Sequence, residues 1–349
     1  MAQMSFFDAH TRLASLSRMG DPLEALKELI PWEEFRPVLE KVHAKERKSK
    51  AGRKPMDPVL MFKALVLQSL YNLADEQVEF QIRDRLSFMR FLGLGIEDPV
   101  PDATTVWRFR ERLKTLELME RLFNRFGDCL EAAGYQARAG QIVDATIVRV
   151  PIQRNSREEN AQIKAGKVPE DWPEAKREQK DTQARWTKKH GKSFFGYKNH
   201  IAVDAKHKRV RRYQVTPAHV HDSQALDAVL DADNADPDVW GDSAYRSEET
   251  EATLKAAGYV SHIHEKGQAG KPLSAAQQRD NRERSRIRAR VEHVFGFQHT
   301  SMGGKWIRTI GKARAAVKIG LMNLTYNLMR YTQLVRRGGP CVCCRLKGR

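Results

Sequence analysis

The chain has 349 residues, enough for two or three domains that each bury a proper core. Its 61 Lys and Arg against 44 Asp and Glu leave a formal net charge of +17, the balance of a protein that lies along a polyanion, so nucleic acid heads the expected partners. No apolar run approaches the roughly 18 residues of a spanning helix, and the opening MAQMSFFDAHTRL lacks a charged-then-apolar leader pattern, which excludes a membrane partner and leaves a cytosolic protein as the expectation.

Residues 1–135 read as all-helical, because apolar residues recur at every third and fourth position in PLEALKELI and PVLMFKALVLQSLYNL. Within this stretch, DEQVEFQIRDRLSFMRFLGL and PDATTVWRFRERLKTL read as short helices divided by the turn GIEDPVP, with Asp102 or Thr104 capping the second. That helix presents Thr104, Thr105, Arg108, Arg110 and Arg112 beside Val106, Trp107 and Phe109. A helix-turn-helix-like segment touching DNA through Thr104, Thr105 and Arg108 fits the pattern, and so does a packing helix with a solvated basic face.

After Gly134 and Gly140 the period changes: QIVDATIVRV is too short and too β-branched for a helix and starts an α/β domain spanning 136–335. Residues 153–190 are polar and basic without periodicity, which predicts a mobile or DNA-contacting excursion. SFFGYKNHIAVDAKHKRVRRYQVTPA then predicts a hairpin turning at DAKHK, in which Lys198 and His200 alternate with Asn199 as a solvated polar edge. HDSQALDAVLDAD reads as a helix, DPDVWGDSAY as a strand, SEETEATLKAAG as a capped helix ending at Gly258, YVSHIHE as a strand and RSRIRARVEHVFGFQ as a helix. The run KWIRTIGKARAAVKIGLMNLTYNLMRY predicts a long amphipathic helix with Ile310, Val317, Leu321, Leu324 and Leu328 in the core. The tail 336–349 is basic and crowds Cys341, Cys343 and Cys344 without a second Cys or His pair at finger-like spacing, so a disordered tail with free thiols is expected rather than a zinc site. Cys129 sits alone in an apolar helical stretch, and no disulfide framework follows.

Three acids stand out by context: Asp144 interrupts the first strand, Asp242 ends a later strand in VWGDSAYRS, and Glu292 lies in the closing helix. Taken singly, a strand-end acid is usually a cap, and Arg288 with Glu292 is an i,i+4 pair worth about 0.3–0.5 kcal/mol. A right-handed crossover, however, can set the two strands side by side and bring Asp144 to Asp242. On the helix, Ile287, Val291, Val294 and Phe295 mark the buried stripe and Glu292 falls at its edge. Three carboxylates around one spot repel unless protons or a hard cation compensate, and open oxygen sites suit Mg2+ or Mn2+. Two such ions about 3.5–4 Å apart can serve in-line displacement at phosphorus.

These motifs resemble those of bacterial transposases of the insertion sequence 5 family, DDE enzymes with an RNase H-like catalytic domain. The likeness covers nearly everything before the tail and rests on VDATIV around Asp144, the D-x-A-x-Y unit of Asp242, Ala244 and Tyr245, the R-x-x-x-E unit of Arg288 and Glu292, and ARWTKKHGKSFFGYKNHIAVDA as a second-strand region. It implies a mixed sheet flanked by helices behind a helical DNA-binding and dimerisation domain. It further implies that Asp144, Asp242 and Glu292 are the catalytic triad and metal ligands for two Mg2+ or Mn2+ ions. The implied chemistry is endonucleolytic hydrolysis at the terminal inverted repeats, then attack of the freed 3′-hydroxyl on target DNA. A homodimer on DNA, in the bacterial cytoplasm at the nucleoid, is the implied setting.

The chain departs from the family pattern at Ser285, where relatives often carry Tyr, and at His299, where they carry a basic residue, so Arg284, Arg286, Arg290 or Lys305 is expected to grip phosphate instead. Arg284, Arg288 and Lys305 therefore join Trp186, Lys188, Lys189 and Lys192 of RWTKKHGK as expected DNA contacts. His219 and His221 in PAHVHDS, with Tyr245, are candidate auxiliary groups, although surface and capping histidines are commoner. The tail GGPCVCCRLKGR matches nothing in the family and reads as a read-through or fusion scar. Two other functions share these features: an RNase H-like nuclease that never joins strands, and a DNA-binding regulator with a catalytically dead α/β domain.

Overall fold

The computed structural model describes residues 8–43, 55–267 and 270–343. The chain forms two compact units, Met1–Tyr135 with Asn327–Arg349, and Gln136–Tyr326. The division falls inside the last helix rather than at 335. No helix among the described residues is long and apolar enough to cross a membrane.

The first unit carries α1 (Asp8–Arg18), α2 (Pro22–Leu29), α3 (Arg36–Leu39), α4 (Pro58–Leu70), α5 (Asp75–Asp84), α6 (Leu86–Leu92), α7 (Ala103–Thr115) and α8 (Leu118–Ala132). Its core is aromatic: Trp32, Phe35, Phe62, Phe91 and Phe126 sit with neighbouring ring centroids between 5.0 and 6.2 Å apart. Asp102 caps α7, its Oδ1 accepting from Thr105 N at 2.7 Å. Arg110 does not belong to a solvated basic face. It is buried, donating to both oxygens of Asp75 at 2.7 and 2.9 Å and to Gln68 Oε1 at 2.8 Å, so it ties α4, α5 and α7 together. The connection between α6 and α7 occupies 93–102, longer than the three or four residues of the usual helix-turn-helix.

The described part of the tail is ordered, contrary to expectation. Tyr135 Oη donates to Pro340 O at 3.0 Å, Val342 N donates to Tyr331 Oη at 2.8 Å, and Val342 is buried. None of Cys129, Cys341 and Cys343 is in a disulfide, and Cys344 lies outside the described residues.

The second unit holds β1 (Gln141–Arg149), α9 (Arg157–Lys164), α10 (Glu174–Gln179), β2 (Arg185–Lys189), β3 (Lys192–Asp204), β4 (Val210–Pro217), α11 (Leu226–Val229), β5 (Asp238–Gly241), α12 (Glu248–Ala256), β6 (Val260–Ile263), α13 (Ala275–Arg288), α14 (Glu292–Gly296) and α15 (Lys312–Arg336), the last crossing into the first unit. The sheet is mixed, ordered β2-β3-β1-β5-β6 with β4 also on β3. β1 is antiparallel to β3 and parallel to β5, which in turn is parallel to β6.

Alternation along β1 and β3 divides the side chains between two faces. Val143 and Ala202 join Leu226, Val229, Val239, Tyr245, Leu254 and Ile263 in one core. On the other face Asn199 and Asn323 exchange amide hydrogen bonds at 2.9 and 3.0 Å, and Gln298 donates to Asn323 Oδ1 at 2.8 Å.

The expected mobile excursion is built instead from α9, α10 and β2. Ser156 and Glu159 form a capping box at α9, and Glu159 accepts from Trp172 Nε1 and Lys176 Nζ, both at 2.6 Å, over a buried indole. Next in the chain, buried Asp181 accepts from Tyr197 Oη at 2.8 Å, Ala184 N at 2.9 Å, and Gln183 N and Gly311 N at 3.0 Å, fastening this segment to β3 and to the start of α15. Asp181→Ala strips one acceptor from four donors and is expected to cost about 3 kcal/mol. A urea unfolding midpoint equal to that of the wild type would show that the segment holds without it.

Candidate active site

β1 and β5 pair with Gln141 beside Val239 and Ile142 beside Trp240, and continuing that register by two residues sets Asp144, inside β1, beside Asp242, just past the carboxyl end of β5. Ligands gather at such strand ends in open α/β sheets. Gly140, at φ 70°, permits the approach: a Cβ there would lie 2.3 Å from the Trp240 ring and 2.7 Å from Asp238 O.

Asp144 is buried, its Oδ1 accepting from Ala145 N at 2.7 Å and its Oδ2 from Arg288 Nη1 at 3.0 Å. Burial pushes its carboxyl up to about 6, and the Asp242 charge adds to the rise, while the Ala145 amide, Arg288 and Lys189 pull the other way. Asp242 caps the short helical turn Ser243–Tyr245, with Oδ1 accepting from Ala244 N at 2.8 Å. Both acids keep lone pairs, and two hard carboxylates side by side fit a divalent cation such as Mg2+ or Mn2+.

Tyr245 is 1% exposed, and its Oη finds no hydrogen-bond partner among the described residues. Burial first, then the charges of Asp144, Asp222 and Asp242, hold this phenol neutral far above its ordinary range. A buried hydroxyl left unpaired costs about 1–3 kcal/mol, which marks the spot as one built for a further group.

Glu292 is exposed at the start of α14 and does not join the pair; among the described residues no three His, Cys, Asp or Glu side chains stand close enough to hold an ion. The expected single helix breaks here, because α13 ends at Arg288 and a tight turn over Ala289–Val291 precedes α14. Such a turn winds at three residues rather than 3.6, so it rotates Glu292 by roughly 60° away from the side on which Arg288 reaches Asp144.

A second polar cluster was hidden in the hairpin. Lys198 Nζ donates to Asp222 Oδ1 at 2.8 Å and to Val220 O at 2.6 Å, and buried His200 pairs with Thr216 Oγ1 at 2.8 Å. His200 is pushed down to about 4 by burial and is neutral at physiological pH. These residues are not a solvated edge, since β3 carries β1 on one side and β4 on the other. Asp222 escaped sequence reading; the only signal for it is its place after His221 in HVHDS.

The remaining residues scatter by type. Trp186, Lys188, Lys189 and Lys192 are exposed on the β2–β3 hairpin, where Trp186 lies 5.3 Å from the Phe195 ring. Arg284 is half-buried and donates to Ile263 O at 2.7 Å. Lys305 is exposed, and its carbonyl accepts from Arg149 N at 2.9 Å, anchoring it beside the end of β1. In the helical unit, Thr104 and Arg108 are exposed and Thr105 is half-buried. His219 and His221 are exposed, and His221 caps the turn Asp222–Ala225. His299 meets Thr146 Oγ1 at 3.1 Å and is pushed down to about 4 by burial and then by Lys305, so it brings no positive charge.

Residues 135–328 match the family model described as Transposase DDE domain, and residues 11–112 match one described as Transposase domain (DUF772). Among solved structures, the cryo-EM structure of a piggyBac transposase synaptic complex with hairpin DNA is similar at 11% identity and a TM-score of 0.45, over 94% of this chain and 78% of that one.

Proposed function

The chain belongs to the DDE transposases, and from that premise we propose that it cuts DNA at the ends of an insertion sequence of the family 5 type and joins the freed 3′-hydroxyl to target DNA. The observation that carries this reading is that Asp144, inside β1, and Asp242, just past the end of β5, come from neighbouring parallel strands and feel each other's charge, the arrangement expected of an RNase H-like sheet. Asp144, Asp242 and Glu292 are the proposed catalytic triad, with Glu292, outside the pair in the free protein, brought to it from α14 when cation and DNA bind. Held there, one or two Mg2+ or Mn2+ ions would supply Lewis-acid stabilisation of the charge that develops at phosphorus.

The chain's own residues do the rest. Burial within the sheet excludes bulk water around Asp144, which strengthens its interactions with charge. Trp186 and the lysines of the β2–β3 hairpin offer a stacking surface and phosphate neutralisation, while Lys305 supplies the charge that His299 lacks. Thr104, Thr105 and Arg108 of α7 are a second proposed DNA surface, and the working form is a homodimer bridging two terminal repeats.

The deciding experiment gives the protein labelled ends, plasmid target and Mg2+. Nicked ends joined to target support transposition; nicks without joining leave a nuclease, and end binding without nicks leaves a regulator. Affinity for DNA should fall steeply with salt, and replacing Lys188, Lys189 and Lys192 together by Ala should flatten the slope of log K against log salt by about 3. An unchanged slope removes the hairpin from the phosphate path.

A further inference from the structure

Arg288 occupies a position that competes with the cation. Its Nη1 donates to Asp144 Oδ2 at 3.0 Å, and its side chain is 25% exposed against 12% for Asp144, so the contact is largely shielded from water. The guanidinium is only half used, since Nε is buried and has no hydrogen-bond partner among the described residues. Arg288 stands in the last turn of α13, immediately before the tight turn Ala289–Val291. A guanidinium and a divalent cation repel, so sharing one carboxylate oxygen in a shielded site is disfavoured.

We propose that Arg288 is an exchangeable counter-ion: it neutralises Asp144 while no cation is bound, and loading of a divalent cation on Asp144 and Asp242 releases its fork to take the DNA phosphate. This inference rests on the proposed function above. The guanidinium carries donors beyond the one spent on Asp144, and once that contact is released its fork can offer a phosphate two parallel N–H groups. The exchange also couples the two loads: phosphate recognition by Arg288 is available only once the cation has replaced it, so cation-free protein meets DNA without its reaction-centre clamp. Arg288 is thus a positioning residue in the free protein and a substrate contact in the loaded one.

The test measures Mn2+ binding to the full chain without DNA, by electron paramagnetic resonance at pH 8. Arg288→Gln should bind Mn2+ about tenfold more tightly than wild type, because no counter-ion has to leave, while Arg288→Lys should stay within about threefold of wild type. Equal or weaker binding by Arg288→Gln overturns the proposal. Because Arg288→Gln strands a buried carboxylate and can fail to fold, a second measurement uses wild type labelled with 15N-arginine, with the Arg288 Nε–H signal assigned by its absence in Arg288→Lys. Saturating Mg2+ should shift that signal in wild type and leave it in place in Asp144→Asn; a signal unmoved in wild type at saturation overturns the exchange. If Mn2+ binds wild type and Asp144→Asn alike, the site reading itself fails and takes this inference with it, whereas Asp144-dependent binding without an Arg288 effect sinks only the inference.

Discussion

Asp144→Asn is expected to lower both end cleavage and strand joining at least about a thousandfold, some 4 kcal/mol of transition-state stabilisation, while binding to the ends stays within about twofold. The amide keeps the shape that accepts from Ala145 N but loses the charge that faces Arg288 and any cation shared with Asp242. Gel assays on labelled ends, with a parallel binding titration, separate the two effects. Retained cleavage would remove the residue from the chemistry.

The same carboxyl sets a pH dependence. It is pushed up to about 6, and only its ionised form ligates, so wild-type cleavage at limiting Mg2+ should decline below pH 6, with the Mg2+ requirement rising about tenfold per unit. For stability the sign is opposite. A carboxyl raised in the fold leaves the native state holding more protons than the unfolded one between the ordinary carboxylate range and 6, so cation-free protein is stabilised at the acid end and loses that gain as pH rises to 6, by at most about 1.4 kcal/mol per unit.

Gly140→Val should cost about 4 kcal/mol or more and lower the melting temperature of the α/β unit by roughly 10 °C. At φ 70° a branched side chain is strained whatever the space, and here its Cβ would meet Trp240 and Asp238 O at 2.3 and 2.7 Å. Relief requires β1 to move off β5, which separates the strands that hold Asp144 and Asp242, so cleavage should fall with stability. Wild-type melting by this variant would mean that the strand pair is looser than the close contact implies.

Much of this fold was legible because local patterns agreed with it. QIVDATIVRV could only be a strand, and the Ser247 cap and Gly258 stop framed α12 as the sequence indicated. Where the reading went wrong, charge had been equated with exposure. Arg110, Lys198, Asn199 and His200 are polar yet lie inside, because specific partners satisfy them; no single-chain pattern announces a partner tens of residues away. The 153–190 segment looked shapeless for the same reason, although the Ser156–Glu159 capping box was readable in RNSREEN. At the site, Asp144 within its strand and Asp242 at a strand end were visible, but the tight turn between Arg288 and Glu292 was not, since nothing in RARVE forbids a continuous helix.

The interlocked amides of Asn199, Asn323 and Gln298 carry a consequence for how such a chain can change by mutation. Asn323 is the hub: replacing it strands the amide nitrogen and oxygen of Asn199 and the amide nitrogen of Gln298, whereas replacing Asn199 strands only the Asn323 amide nitrogen, and exchanging all three for shape-matched aliphatics strands none. Single-step drift should therefore be rare at Asn323, and homologues that lose it should have lost Asn199 and Gln298 as well. Such a lock would also keep the last helix from slipping by one turn against the sheet, since a slide of about 5.4 Å would break every bond in it at once.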